Sequence, residues 1–407
     1  MSFMRIKIIF SLRILCRLIY ASFLFIPLIV YAENSISEYK SIHYQVTTDV
    51  SVEYARSIAG IMESSYYLYN QIFHFETSPP ENLFRIRIFQ HKRDFDAYLN
   101  TLISKQSDDY IYIHYNNPSK SEIVGYLTEK PKFRSLLHLG SIQFLKHIIP
   151  HPPFWLREGT ATYVENASWN ESMGTFELKP NFVWLESYKK LVRNETSNSR
   201  MSLFELLTMK SEDELTNSPH FQQQAWGLVH YLLEVSNTKS NRIMWDAIAT
   251  LSPTATLQQN SEKVLQKAFS WSDLTELQIQ IDNFLLGLNT FSESMEMGID
   301  YYSKGYLQKA ELAFLSAIEI DGGNYIPYYY LGLINYSNKD YIKAEKNYQM
   351  ALSINSNNAL VDYAIGVNAL GDKQFTKARE YLDQAKVKDP IKYAENIKLL
   401  EAQFEEL

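Results

Sequence analysis

The feature that most constrains this chain is a period of 34 residues toward its C-terminal end. Lys309-Ala310-Glu311 returns as Lys343-Ala344-Glu345 and again as Lys377-Ala378-Arg379. Gly298, Gly332 and Gly366 keep the same step, as do Ala317, Ala351 and Ala385. Large side chains keep it too, with Leu307, Tyr341 and Phe375 in one column and Phe314, Tyr348 and Leu382 in another. Small residues let two helices cross closely, and large ones fill the gaps between neighbouring helices. Self-similarity at this period means a stack of identical units. Gly322-Gly323-Asn324 and Asn355-Ser356-Asn357-Asn358 separate the units and read as loops.

These columns resemble the tetratricopeptide-repeat (TPR) family, whose 34-residue unit is a helix–turn–helix. The resemblance implies an all-α solenoid of three units, 291–324, 325–358 and 359–392. Asp389-Pro390-Ile391 then leads into a capping helix over 392–407, the polar-faced end that such stacks require. The family also implies a groove for a protein or peptide partner. Carried onto this sequence, the groove positions are Tyr302, Tyr329, Tyr336 and Tyr363. Tyrosine gives rigid contact area with a polar tip. The competing expectation is that the same rings pack between repeats.

A chain of 407 residues, 46% hydrophobic and 21% charged, has the size of two domains and the composition of ordinary globular protein. Residues 1–32 stand apart. Arg5, Lys7, Arg13 and Arg17 precede the apolar stretch LIYASFLFIPLIVYA over 18–32, with Val30 and Ala32 at −3 and −1 of a cleavage point before Glu33. This is the pattern of a secretory signal peptide. Leu15 ahead of Cys16 does not fit a lipoprotein cleavage site. The expected location is therefore the periplasm or outside the cell, the alternative being a membrane anchor through 18–32. Cleavage would remove Cys16, the only cysteine, and make the formal net charge of −7 more negative. No disulfide is then expected, and an acidic chain is not expected to bind nucleic acid, whose affinity comes largely from Lys and Arg on phosphates. No later stretch is apolar for long enough to span a membrane.

Between signal and repeats, period-2 runs over 42–47, 84–89 (FRIRIF) and 110–115 predict strands, and 54–73 predicts a helix that ends before a turn at Pro79-Pro80. After Glu129-Lys130-Pro131 the pattern reads as helical to the end, with loops at 236–241 and 252–256 and core faces at 203–207 (LFELL) and 225–233. A small mixed sheet followed by helices is an α+β domain.

Residues 135–165, SLLHLGSIQFLKHIIPHPPFWLREGTATYVE, carry a second resemblance. They are similar to the peptidase MA-like (gluzincin, zincin-fold) family of bacterial exported proteins. In that family H-E-x-x-H-Q lies on one helix and W-L-x-E-G-x-A-x-Y on the next. The opening IHYQVTTD, the segment RIRIFQHKRDFDAYL and QAWGLVHYLL over 224–233 fit the same family, across roughly residues 40–285. The resemblance implies a zincin-like domain over 33–288 in which His138 and Glu158 occupy zinc-ligand positions. Leu139 stands where the general base belongs, and Ile142 where the second histidine belongs. Gln143 keeps its family place, and Gln222 stands where the family has a tyrosine. Aliphatic side chains neither bind metal nor move protons. The expectations are no catalytic residue, no cofactor, and a direct His138–Glu158 hydrogen bond, with Arg157, Glu165 and Asn166 left as surface or cap residues. His147 lies about 900° around the helix from His138 at 100° per residue, on the opposite face. His220 and His230 are distant in sequence.

The function expected from both resemblances is an exported pseudo-metallopeptidase domain joined to a TPR interaction scaffold, an envelope or secreted binding protein. The alternative is a zinc-dependent metallopeptidase of gluzincin type with an altered ligand set, for instance His138, Glu158 and His151.

Overall fold

A computed structural model of the chain describes residues 36–404, apart from 76–81, 104–105, 116, 129–132, 171, 194–199 and 219. The signal sequence with Cys16, the turn at Pro79-Pro80 and the break at Glu129-Lys130-Pro131 lie outside the described residues.

The N-terminal domain begins with β1 (Ser37–Lys40), β2 (Tyr44–Thr48) and the long helix α1 (Val52–Phe73), which Ser51 caps by accepting from the Tyr54 amide. There follow β3 (Phe84–Phe89), α2 (Lys92–Leu102), β4 (Ile111–Ile113) and β5 (Glu122–Tyr126). The five strands form one sheet in the order β1-β2-β3-β5-β4. Its middle is parallel, Val46 opposite Ile86 and Ile86 opposite Ile123, and both edge strands are antiparallel. Val46, Ile86, Ile88 and Ile123 are buried with Met62, Tyr66 and Tyr69 of α1. The apolar alternation of FRIRIF is thus what seats the sheet on its helices.

Helices α3 (Phe133–Ile148) and α4 (Phe154–Val164) come next. Every residue of α4 is buried. A Cβ on Gly159 would lie 2.5 Å from the Ala225 carbonyl oxygen, so only glycine lets α4 cross α8 (Phe221–Glu234) at this distance. The expectation of helix alone after residue 131 is corrected here: β6 (Ser168–Asn170) and β7 (Thr175–Glu177) form a hairpin in which Trp169 faces Phe176. Its turn ends at Gly174, where φ is +63°, a value that glycine adopts without strain.

The rest of the domain is α5 (Phe182–Val192), α6 (Leu203–Leu207), α7 (Glu212–Thr216), α8, α9 (Thr238–Thr250), α10 (Leu257–Ala268) and α11 (Leu274–Gly287). The loop expected over 236–241 is shorter than the sequence suggested. Asn237 caps the amide of Lys239, which starts α9 at Thr238.

Three helix pairs complete the chain: α12 (Phe291–Ser303) with α13 (Leu307–Ile320), α14 (Tyr325–Ser337) with α15 (Tyr341–Ile354), and α16 (Ala359–Gly371) with α17 (Phe375–Lys388). Pro390 both ends the third pair and starts α18 (Pro390–Phe404), since the first turn of a helix does not use the amide that proline lacks. Two of the sequence columns meet in space. A Cβ on Gly298 would lie 2.6 Å from the Phe314 ring, and one on Gly366 would lie 2.7 Å from Leu382. Glycine in the first helix of each pair therefore makes room for the large residue sixteen positions later. Helix α14 also touches α16 directly, which makes the first helices the inner layer of the stack.

The two domains meet through charge. Lys189 of α5, 2% exposed, pairs with Glu293 at 2.5 Å and donates to the Leu288 carbonyl, while Arg193 reaches Glu293 at 3.1 Å. Glu293 also accepts from the Thr290 amide, so one carboxylate caps α12 and fastens it to α5.

Candidate functional site

Helices α3 and α4 bring His138 and Glu158 together, but not as a direct hydrogen bond. The His138 Nε2 to Glu158 Oε2 separation is 3.8 Å, an ion-pair distance too long for a hydrogen bond. The hydrogen bond of His138 goes to Glu165, Nδ1 to Oε2 at 2.8 Å. Glu165 is therefore no surface residue. At the C-terminal end of α4 its Oε1 accepts from Arg134 Nη2 (2.9 Å), Trp184 Nε1 (2.9 Å) and Asn181 Nδ2 (3.1 Å). Arg157 is corrected likewise. It is 7% exposed, donates Nε to Glu158 Oε1 at 2.6 Å, and grips Glu212 with both terminal nitrogens at 2.6 and 3.0 Å. Asn166 donates to the Pro180 carbonyl. The physical reason for both corrections is that a buried carboxylate needs a cation and hydrogen bonds. Glu158 and Glu165 find theirs in residues beside them or far along the chain.

Burial opposes charge on His138, but its contacts with Glu158 and Glu165 outweigh burial and push its pKa up to about 9. Burial likewise raises Glu158 and Glu165, and the cations around them reverse the sign. His138 and Arg157 hold Glu158 below the usual carboxylate range, and His138, Trp184 and Arg134 do so for Glu165. At neutral pH the site is an imidazolium between two carboxylates, extended by Arg157 and Arg134.

Leu139 and Ile142 are half-buried, and Leu139 packs on the core. Other histidines lie elsewhere. His147 packs edge-on against Phe84 with centroids 4.9 Å apart, and His151 is exposed on the loop before α4. His220 contacts Gln223, while His230 stacks on Trp226 and is depressed to about 4 by burial. Among the described residues, no group of three or more His, Cys, Asp or Glu side chains is placed to hold a metal ion.

The four tyrosines expected in the groove lie on the inner helices and are all half-buried. Tyr302 packs on Tyr330 (5.6 Å), Tyr329 on Tyr348 (6.1 Å), Tyr336 on Tyr341 (5.9 Å), and Tyr363 stacks on Tyr393 of α18 (5.0 Å). Each ring lies against the repeat core, as the packing expectation has it, and among the described residues its hydroxyl has no hydrogen-bond partner. A cavity of about 580 Å³ lies away from them, between α15 and the turn at Asp372 and Gln374.

No protein-family model matches the chain, and no curated protein matches it either. Solved structures similar to it include the TPR domain of Arabidopsis OM64, 20% identical, with a TM-score of 0.24 over 25% of this chain and 83% of that one. Another is the first TPR of Spaghetti (RPAP3) bound to the HSP90 peptide SRMEEVD, 13% identical, with a TM-score of 0.27 over 28% of this chain and 93% of that one. Three helix pairs at a 34-residue step, each glycine of the inner helix facing a large residue of the outer one, make the C-terminal region a TPR-like helical repeat. The N-terminal domain is a small mixed sheet covered by helices. No helix among the described residues is long and apolar enough to cross a membrane.

Proposed function

We propose that the protein is a binding adaptor. Its repeats hold a peptide segment of a partner on their inner face, and its N-terminal domain is a non-catalytic, zincin-like module. The observation that carries the binding half is the row of inner-face tyrosines with unpartnered hydroxyls. Rigid amphipathic rings with a free polar tip suit a ligand surface. The test is selection from a random peptide library on the full chain. Recovered peptides should lose affinity for Tyr329→Ala and Tyr363→Ala variants of unchanged melting temperature. Peptides that bind all three proteins equally would put the rings back in the core.

The non-catalytic half rests on the His138 cluster. Catalytic zinc takes three protein ligands, with bonds of about 2.0–2.2 Å from nitrogen or oxygen, and leaves a position open. Here His138 and Glu158 are the two donors that face each other, Arg157 holds the second oxygen of Glu158, and Ile142 and Leu139 offer no donor atom. This set does not fit a catalytic zinc. The alternative ligand set gains nothing from His151, whose side chain is exposed outside the cluster and whose carbonyl accepts from Asn260. Metal analysis of the purified protein should find well under one zinc per chain. Stoichiometric zinc lost on Glu158→Ala, together with peptide cleavage, would make the chain an enzyme.

Export to the periplasm or beyond the cell is part of the same proposal and rests on residues 1–32 alone. Intact mass from the native host should correspond to a start at or next to Glu33. Retention of 1–32 would favour the anchor.

A further inference from the structure

The inner face of the repeats says which peptide it suits, an inference that rests on the adaptor reading. The inner helices α12, α14 and α16 contain no Lys, Arg or His, whereas the outer helices carry Lys309, Lys343, Lys346, Lys377, Arg379, Lys386 and Lys388. Of the inner acids, Glu293 is held by Lys189, Asp362 is buried on Lys388 at 2.6 Å, Asp300 pairs with Lys304, and Glu296 is exposed. The cation beside the tyrosine row is Lys392 of α18, over the Tyr393 ring at 5.2 Å, so an acidic segment would find one cation at one end and give up the hydration of its other carboxylates without return.

What the face does offer is hydrogen-bond donors on aromatic rings. Tyr302, Tyr329, Tyr336 and Tyr363 have hydroxyls without partners among the described residues, with half-buried Leu333, Val367 and Leu370 on the same helices. The Tyr393 hydroxyl is buried and also unpartnered, its ring stacked on Tyr363. Burial and the neighbouring Tyr330, Tyr393 and Tyr302 push the Tyr329 phenol up to about 12, so it stays a donor at any physiological pH.

Three ligand conformations answer this surface differently. A helix spends its carbonyls internally and would leave the phenols unmet, at the cost of a buried unsatisfied group each. A β-type strand presents an N–H at every residue as well, and these would need Glu296 or the same phenol oxygens as acceptors while the phenols also donate. A polyproline II segment keeps its carbonyls outward and unbonded, lacks an N–H at each proline, and lays flat rings on aromatic faces. We propose that the inner face binds an uncharged, proline-rich segment in the polyproline II conformation, its carbonyls accepting from Tyr302, Tyr329, Tyr336 and Tyr363.

The test uses the full chain and three fluorescent twelve-residue peptides in polarisation titrations: one alternating proline with alanine and leucine, one acidic, and one an amphipathic helix. The proline-rich peptide should bind. Tyr329→Phe and Tyr363→Phe, which keep the rings and remove only the hydroxyls, should each weaken it up to about tenfold, the scale of one hydrogen bond. Equal binding by wild type and Phe variants would overturn the hydroxyl argument. Tighter, tyrosine-dependent binding of the acidic or helical peptide would overturn the proline assignment while leaving the adaptor reading in place. If none of the three binds, the proline assignment falls, and the adaptor reading stands or falls with the library selection.

Discussion

Replacing His138 by glutamine tests whether an imidazolium holds α3 to α4. The folded pKa of about 9 against an ordinary 6.5 means that the charged form is favoured in the fold. At about 1.4 kcal/mol per unit, the cluster contributes about 3 kcal/mol through this group. With a raised pKa, that contribution is fully present below about pH 6.5 and is lost as pH rises through about 9. Glu158 and Glu165 carry the opposite sign. Their depressed values make stability present above the unfolded carboxylate pKa and lost as pH falls through the folded one. Urea denaturation of wild type and His138→Gln at pH 6.5, 8 and 10 should therefore show a gap of about 3 kcal/mol at pH 6.5 that closes toward pH 10. The imidazole C2 proton of His138 should titrate near 9 by NMR. Titration near 6.5, or a gap independent of pH, would refute the imidazolium and with it the argument that this site is occupied by its own charges.

Leu139→Glu combined with Ile142→His should confer zinc uptake, because residues i and i+4 project together and His138 Nε2 already faces Glu158 Oε2. No metal by mass spectrometry in a folded double variant would contradict the proposed kinship of this helix pair with the zincin fold. Glu293→Gln should lower stability by about 3 kcal/mol, the scale for stripping one partner from a buried pair, since Lys189 is left with the Leu288 carbonyl. An unchanged denaturation midpoint would show that the joint is not held by this contact. A fragment ending at residue 288 should fold but be weaker than the same domain in the full chain, and Lys189→Met should recover part of the loss. If the methionine has no effect in the fragment, the unpaired ammonium is not the cause. Gly332→Ala should cost about 1–3 kcal/mol in thermal denaturation, because the new methyl meets the buried Tyr348 ring.

How much of this was legible in the sequence follows from how far each interaction reaches. A repeat unit touches mainly its neighbours, so the Gly298 and Phe314 columns encode their own contact within sixteen residues, and the 34-residue step exposes it. FRIRIF is legible for the same reason, since period 2 is a local consequence of a strand lying on a core. The hairpin at 168–177 is not: Trp169 and Phe176 pair across a turn, in runs too short for a period to show. The cluster around His138 was half legible. The motif positions gave His138 and Glu158, but the partners that decide their protonation stand 27 residues away at Glu165 and, through Arg157, 55 residues further at Glu212. Nothing in the spacing marks an Arg or a Glu as buried. One signal was present even so. A carboxylate fixed between two packed helices, with the aliphatic Leu139 and Ile142 on the facing helix, requires a counter-charge close by. Arg157, beside Glu158 on the same wholly buried helix, is that counter-charge, and Glu165 at the helix C-cap holds the other charge of the site, His138.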